Sequence, residues 1–129
     1  IMLDGQGNWP KKLIILQGKS GSGKSMRAME IIGETDYWKT PIGFDGSWYD
    51  RYDGHEIAWF EEFDGQIKFK DLLRLTDRYA EHVPVKGGFV PWCPKTIIFS
   101  CVTTWDKWYL DLSNEWSRRV SEFGVIESL

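Results

Sequence analysis

The sequence predicts an α/β fold, a mostly parallel sheet flanked by helices. Three observations carry that expectation. Short, mostly apolar runs (Leu13-Ile14-Ile15-Leu16, Ile57-Ala58-Trp59-Phe60, Thr96-Ile97-Ile98-Phe99) suit strands covered on both faces. A glycine-serine loop and then a run of helix formers follow the first of them. Strands and helical stretches alternate along the chain, as parallel pairing with crossover helices requires. The 129 residues suffice for one domain with a real core. We assign it to residues 11–129, with residues 1–10 as a tail or linker.

The elements follow in order. Residues 1–10 carry two glycines and a proline with no apolar period. They open on Ile1-Met2, as expected of a piece of something longer. The first strand leads through the glycine-serine loop to a helix over 24–32, stopped by Gly33. Residues 35–54, crowded with Trp38, Trp48 and three tyrosines, read as a long structured loop with one short strand. The second strand ends in Glu61-Glu62. Apolar residues at Phe69, Leu72, Leu73, Leu75 and Tyr79 have helical spacing. The stretch His82-Val83-Pro84-Val85-Lys86-Gly87-Gly88-Phe89-Val90 reads as an inserted β-hairpin with Lys86 at its tip. The third strand precedes a helix near 114–120 and a last strand at Val125-Ile126.

Composition excludes several classes. Apolar residues make up 42% and charged residues 27%, which argues against disorder or a coiled coil. No apolar run reaches the roughly 20 residues of a membrane span, and no signal peptide is expected. A net charge of −3 confines any nucleic-acid contact to a local patch. The two cysteines, Cys93 and Cys101, form no disulfide framework or metal-ligand spacing and read as small buried hydrophobes in a reducing compartment. Eight tryptophans call for large packing surfaces or interfaces.

The strongest motif is Gly18-Lys19-Ser20-Gly21-Ser22-Gly23-Lys24-Ser25, which fits G-x-x-x-x-G-K-[ST] between a buried strand and a helix. Glycines let successive backbone N–H groups converge on phosphate oxygens, and the helix points its positive end at the same anion. This is the phosphate loop of a P-loop NTPase. Lys24 would reach the β- and γ-phosphates of ATP, and the Ser25 hydroxyl would hold Mg²⁺. Hydrolysis also needs carboxylates at the end of a neighbouring strand, where Glu61 and Glu62 stand. We assign Glu61 to Mg²⁺ and Glu62 to polarising the attacking water. Strand alternation would set them on opposite faces.

These motifs, with Tyr37-Trp38-Lys39, Trp48, Tyr52-Asp53-Gly54, Phe63, the 71–79 helix and Val85-Lys86-Gly87-Gly88, resemble the replication-associated proteins of circoviruses and related circular single-stranded DNA viruses. The likeness runs from about Lys12 to Val120 and corresponds to their superfamily 3 helicase domain, an AAA+-like ATPase. It implies a ring, usually a hexamer, that moves along single-stranded DNA. It implies that Lys86 contacts DNA in the pore, and that Arg118 or Arg119 is an arginine finger. It also implies a covalently linked N-terminal nicking domain in the full-length protein, and a location inside the cell, in the host nucleus. Only His55 and His82 occur here, so no nicking is expected of this chain itself.

One departure stands out. The family's polar sensor, an asparagine beyond the third strand, falls on Val102, leaving Ser100, Thr103 or Thr104 to supply a hydroxyl. A weakly hydrolysing oligomeric module that binds nucleotide and DNA is therefore the alternative. A small nucleotide kinase ranks below it, because no arginine-rich lid is visible. Trp105, Trp108 and Tyr109 could stack on bases, but packing is the commoner fate of such residues.

Overall fold

A computed structural model describes residues 7–110 and 114–129. Strand β1 (Lys12–Gln17) lies inside a five-stranded sheet, between β6 (Thr96–Cys101) and β7 (Gly124–Ser128). Beyond β6 come β3 (Ile57–Phe60) and then β2 (Tyr37–Lys39) at the far edge. Every neighbouring pair in this sheet is parallel. The expected α/β class holds.

Alternation divides the strands between two apolar layers. Ile14, Leu16, Ile57, Trp59 and Ile98 pack on one face with Ala28 and Ile32 of α1 (Lys24–Ile32). Leu13, Ile15, Ala58, Phe60, Ile97 and Phe99 pack on the other. That second layer takes in α2 (Phe69–Leu75), α3 (Asn114–Phe123) and the antiparallel hairpin of β4 (Glu81–Val85) and β5 (Gly88–Trp92). Aromatic rings fill it. Trp38 meets Phe44, Tyr49, Tyr52, Phe60 and Trp92 with ring centroids 5.8 to 6.1 Å apart. Trp108 is buried against Phe63 and Trp116, so packing and not base stacking claims it. Tyr109 packs on Phe69, and its hydroxyl donates to the Ile67 carbonyl at 2.8 Å.

The ends of α2, the hairpin and α3 differ from expectation. Helix α2 stops at Leu75 instead of continuing to Tyr79. The Thr76 hydroxyl donates back to the Leu72 carbonyl at 2.7 Å, and Arg119 reaches across from α3 to the Leu73 carbonyl, so side chains satisfy the last turn. The hairpin is longer at both ends than the sequence suggests. Helix α3 runs on to Phe123 before entering β7. A short 3-10 turn at Trp105–Lys107 follows β6.

Of the residues assigned to a tail, 1–6 lie outside the described residues, and 7–10 pack on the domain. The Trp9 indole donates to Pro94 O at 3.1 Å, and Asn8 Oδ1 accepts from Ala80 N–H at 2.7 Å. Next to them Lys11 is 2% exposed, donating to Gly7 O at 3.2 Å and Asp77 O at 2.6 Å. Cys93 and Cys101 are both buried, as expected, and burial pushes the Cys101 thiol up to about 11. No helix among the described residues is long and apolar enough to cross a membrane.

Candidate active site

The crossovers beside β1 run over opposite faces of the sheet: α1 leads from β1 toward β2 over one face, and α3 joins β6 to β7, across β1, over the other. Such a reversal opens a crevice beyond the carboxyl end of the central strand. The glycine-rich loop fills that position. Gly18 N–H donates to Cys101 O at 3.1 Å, carrying the β1–β6 pairing past the strand end. A Cβ on Gly18 would stand 2.6 Å from Ser22 Oγ and 2.7 Å from Leu129 O, so no other residue fits without displacement. Gly21 (φ 81°) and Gly23 (φ 94°) take left-handed backbone, which L side chains rarely adopt.

Gly23 caps α1 without any side-chain bond, which leaves the first-turn N–H groups of the helix available to an anion. The Ser22 hydroxyl is buried with no hydrogen-bond partner in the described structure. The Lys24 ammonium donates to Gly18 O and, at 3.1 Å, to Lys19 O. It is folded back over its own loop by acceptors that a phosphate could replace. From the first turn of α1, Arg27 holds Glu127 of β7 through two bonds of 2.7 and 2.9 Å, and this keeps the Glu127 carboxyl below its usual range.

The acids do not sit as strand alternation would set them. Strand β3 ends at Phe60, and Glu62 has φ 51°, a left-handed turn that ends the period of two. Both carboxylates therefore line one cleft, not opposite faces. Phe63 N–H donates to Ser100 O at 2.8 Å, and the Gln66 amide donates to Glu62 O at 3.1 Å, which pins the turn. Glu61 N–H donates to Thr40 Oγ1 at 3.1 Å, and its carboxylate lies 3.9 Å from the Lys39 ammonium.

The cleft has a volume of about 380 Å³ and is lined by the glycine-rich loop with Lys24 and Ser25, by Glu61 and Glu62, and by Ser100 and Val102. Ser100 is 2% exposed, and its Oγ accepts the Trp59 indole N–H at 2.9 Å. Val102 stands exposed on the cleft wall, offering no polar atom from its side chain. Thr103 is exposed and does not line the cleft. Ser25 and the two glutamates supply only oxygen donors. That set suits Mg²⁺, which takes one or two carboxylates and completes its shell with water and substrate phosphates. Among the described residues no group of three or more His, Cys, Asp or Glu forms a cage from protein ligands alone.

Lys86, Arg118 and Arg119 lie outside the cleft. Lys86 is at the hairpin tip, its side chain 73% exposed and 3.9 Å from Asp50 Oδ2. The hairpin is braced from below: Arg74 of α2 pairs with Glu81 at 2.9 Å, and the Trp92 indole donates to Leu75 O at 2.9 Å. The two arginines differ sharply. Arg119 has a 10% exposed side chain that donates to Thr76 Oγ1 at 2.8 Å and lies 3.9 Å from Asp77. Arg118 is exposed and makes no ion pair among the described residues.

Sequence motifs alone do not mark Lys39 and Thr40 as neighbours of the acid pair. Their proximity comes from the β2–β3 pairing, which sets Lys39 opposite Trp59. A strand readable in the aromatic loop, placed beside β3, would have pointed to them.

No family model matches the chain. Similar proteins are the replication-associated protein of goose circovirus, 33% identical over 122 residues that cover 92% of this chain and 40% of the relative. The replication-associated protein of porcine circovirus 2 is 37% identical, covering 79% of this chain and 32% of the relative. That of beak and feather disease virus is 39% identical, covering 74% and 31%. The chain thus spans 40% or less of the length of these relatives. It is a homologue of the circovirus replication-associated proteins, matched to a segment of them and not to their whole length.

Proposed function

We propose that this chain is the ATPase motor of a viral replication initiator, a superfamily 3 helicase domain that hydrolyses ATP at subunit interfaces of a ring, expected to be a hexamer, and moves along single-stranded DNA. The observation that carries the reading is the single cleft joining Lys24 and Ser25 to Glu61 and Glu62. A phosphate loop facing two carboxylates across a few hundred cubic ångströms is what phosphoryl transfer to water needs. In this reading the loop N–H groups, that of Ser22 among them, and Lys24 bind the triphosphate. Ser25 and Glu61 hold Mg²⁺, which neutralises charge on the phosphates. Glu62 orients and polarises the attacking water, and the Ser100 hydroxyl is the polar group left to serve as sensor. Arg118 completes the site of a neighbouring subunit. Lys86, raised on its hairpin, contacts the DNA backbone. In the whole protein a nicking domain precedes this one, and the host nucleus is the expected location.

Val102 on the cleft wall favours one second reading, a module that binds nucleotide and DNA but turns over slowly. ATPase assays with and without single-stranded DNA separate the two. The motor reading expects turnover stimulated by DNA and abolished in Lys24→Ala. Tight ATP binding without turnover would establish the module instead. Equal ATP affinity and rate in Lys24→Ala would overturn the assignment of the loop.

A further inference from the structure

A cavity of about 840 Å³, larger than the cleft above, lies apart from it. It is a groove between β2, the loop after it and the hairpin tip, lined among others by Tyr37, Lys39, Trp48, Arg51, His55 and Lys86. Its acids are engaged: Asp50 faces Lys86 at 3.9 Å, and Asp45 accepts the Ser47 N–H at 2.9 Å. Arg51, by contrast, is exposed with no ion-pair partner among the described residues. Trp48 is 46% exposed, the most open of the described tryptophans, in a protein that buries five others. Cations spaced around an open indole suit a flexible, anionic chain carrying flat bases.

The end of β2 links the groove to the cleft. Lys39 lines the groove, while its ammonium sits 3.9 Å from Glu61 of the cleft and 5.2 Å from the centre of the Trp59 ring. Trp59 in turn donates to Ser100, which also lines the cleft. We propose that the groove binds the backbone of a single-stranded nucleic acid and that Lys39 reports its occupancy to the acid pair. With the groove empty, Lys39 neutralises Glu61 and competes with Mg²⁺ for its carboxylate. A phosphate in the groove draws the ammonium away and frees Glu61 for the metal. Lys39 is thus a positioning residue, acting through Glu61. This rests on the ATPase reading for its consequence in turnover, but the switch itself is a matter of binding. An exposed ion pair is weak, so the effect should be about two- to fivefold and no larger.

The test titrates Mg²⁺ against binding of a fluorescent non-hydrolysable ATP analogue, with and without an oligothymidylate, and measures ATPase alongside. In the parent, the oligonucleotide should lower the Mg²⁺ needed for half-maximal binding about two- to fivefold. Lys39→Met should show the lowered value without DNA and no further response. Lys39→Arg, which keeps the charge, should behave as the parent. Basal ATPase in Lys39→Met should rise by the same factor and lose its stimulation. A parent-like Mg²⁺ shift in Lys39→Met would overturn the switch, as would a parent that does not bind the oligonucleotide. A parent that binds and shifts but never hydrolyses ATP would sink the ATPase reading while leaving the switch standing. Should Lys39→Met fail to fold, protection of Lys39 from acetylation by the oligonucleotide in the parent decides. Unchanged labelling would refute the proposal.

Discussion

Glu62 holds a backbone conformation that costs most residues about 1–2 kcal/mol, at the one place where the chain must turn out of β3 into the cleft wall. Strain of this kind persists where position matters more than stability. Glu62→Gly should therefore raise stability by about 0.5–1 kcal/mol in denaturant titration while abolishing turnover, after allowing for the extra freedom of glycine in the unfolded chain. Glu62→Gln should bind ATP nearly as the parent does and hydrolyse it far more slowly. Turnover at the parental rate in both would move the water-polarising role to Glu61. A second residue of this scale is Lys11. Burial lowers its amine from 10.5 to about 8, so between those pH values the unfolded chain binds more protons and stability rises with pH. Relative to Lys11→Met, the parent should gain up to about 3 kcal/mol from pH 8 to 10.5. The difference between the two proteins cancels the tyrosines, whose hydroxyls burial also raises. A flat difference would mean that Lys11 stays charged where it lies. The phosphate loop and the acids were legible because each is written in adjacent residues. Lys11 was not: beside Lys12 at a strand start it reads as an ordinary surface charge, and its two carbonyl partners come from 4 and 66 residues away.

At the scale of elements, α3 separates two arginines that look alike in sequence. Trp116 and Val120, four apart, mark its buried stripe, and Arg119 borders that stripe while Arg118 points about 100° away. Arg119 ties α3 to the end of α2 by taking the Leu73 carbonyl and the Thr76 hydroxyl. Its removal leaves buried acceptors without a donor, so Arg119→Ala should cost about 2 kcal/mol in chemical denaturation, whereas Arg118→Ala should change stability by no more than about 0.5 kcal/mol. Equal losses would mean that Arg118 has a structural partner after all. The helical spacing carried this distinction in principle. What it could not carry was the early end of α2, because the apolar positions run on to Tyr79 while the capping partner comes from 43 residues downstream. The hairpin was legible from Lys86-Gly87-Gly88, since turn chemistry is local. Its bracing by Arg74 and Trp92 was not.

For the whole molecule, strand order is the feature that local patterns leave open. Apolar runs identified the strands, yet nothing in them places β1 between β6 and β7, and that arrangement sets the loop, the acids and Ser100 around one cleft. It also leaves Arg118 on the outer surface, away from its own cleft, so a catalytic role for Arg118 would have to be played in another subunit. In a head-to-tail ring each interface would bring one subunit's Arg118 to the phosphates held by its neighbour's Lys24. An arginine finger contributes about 10³ to 10⁵ in rate, so Lys24→Ala and Arg118→Ala proteins should each be inactive alone. Mixed in equal amounts, with random exchange of subunits, roughly a quarter of interfaces would pair an intact loop with an intact finger. ATPase should then recover to about that fraction of the parental rate. Arg119→Ala in place of Arg118→Ala should not show this pattern, since its defect lies in its own subunit's packing. No recovery on mixing, with exchange of labelled subunits confirmed, would place Arg118 outside catalysis and leave the ring without its trans-acting group.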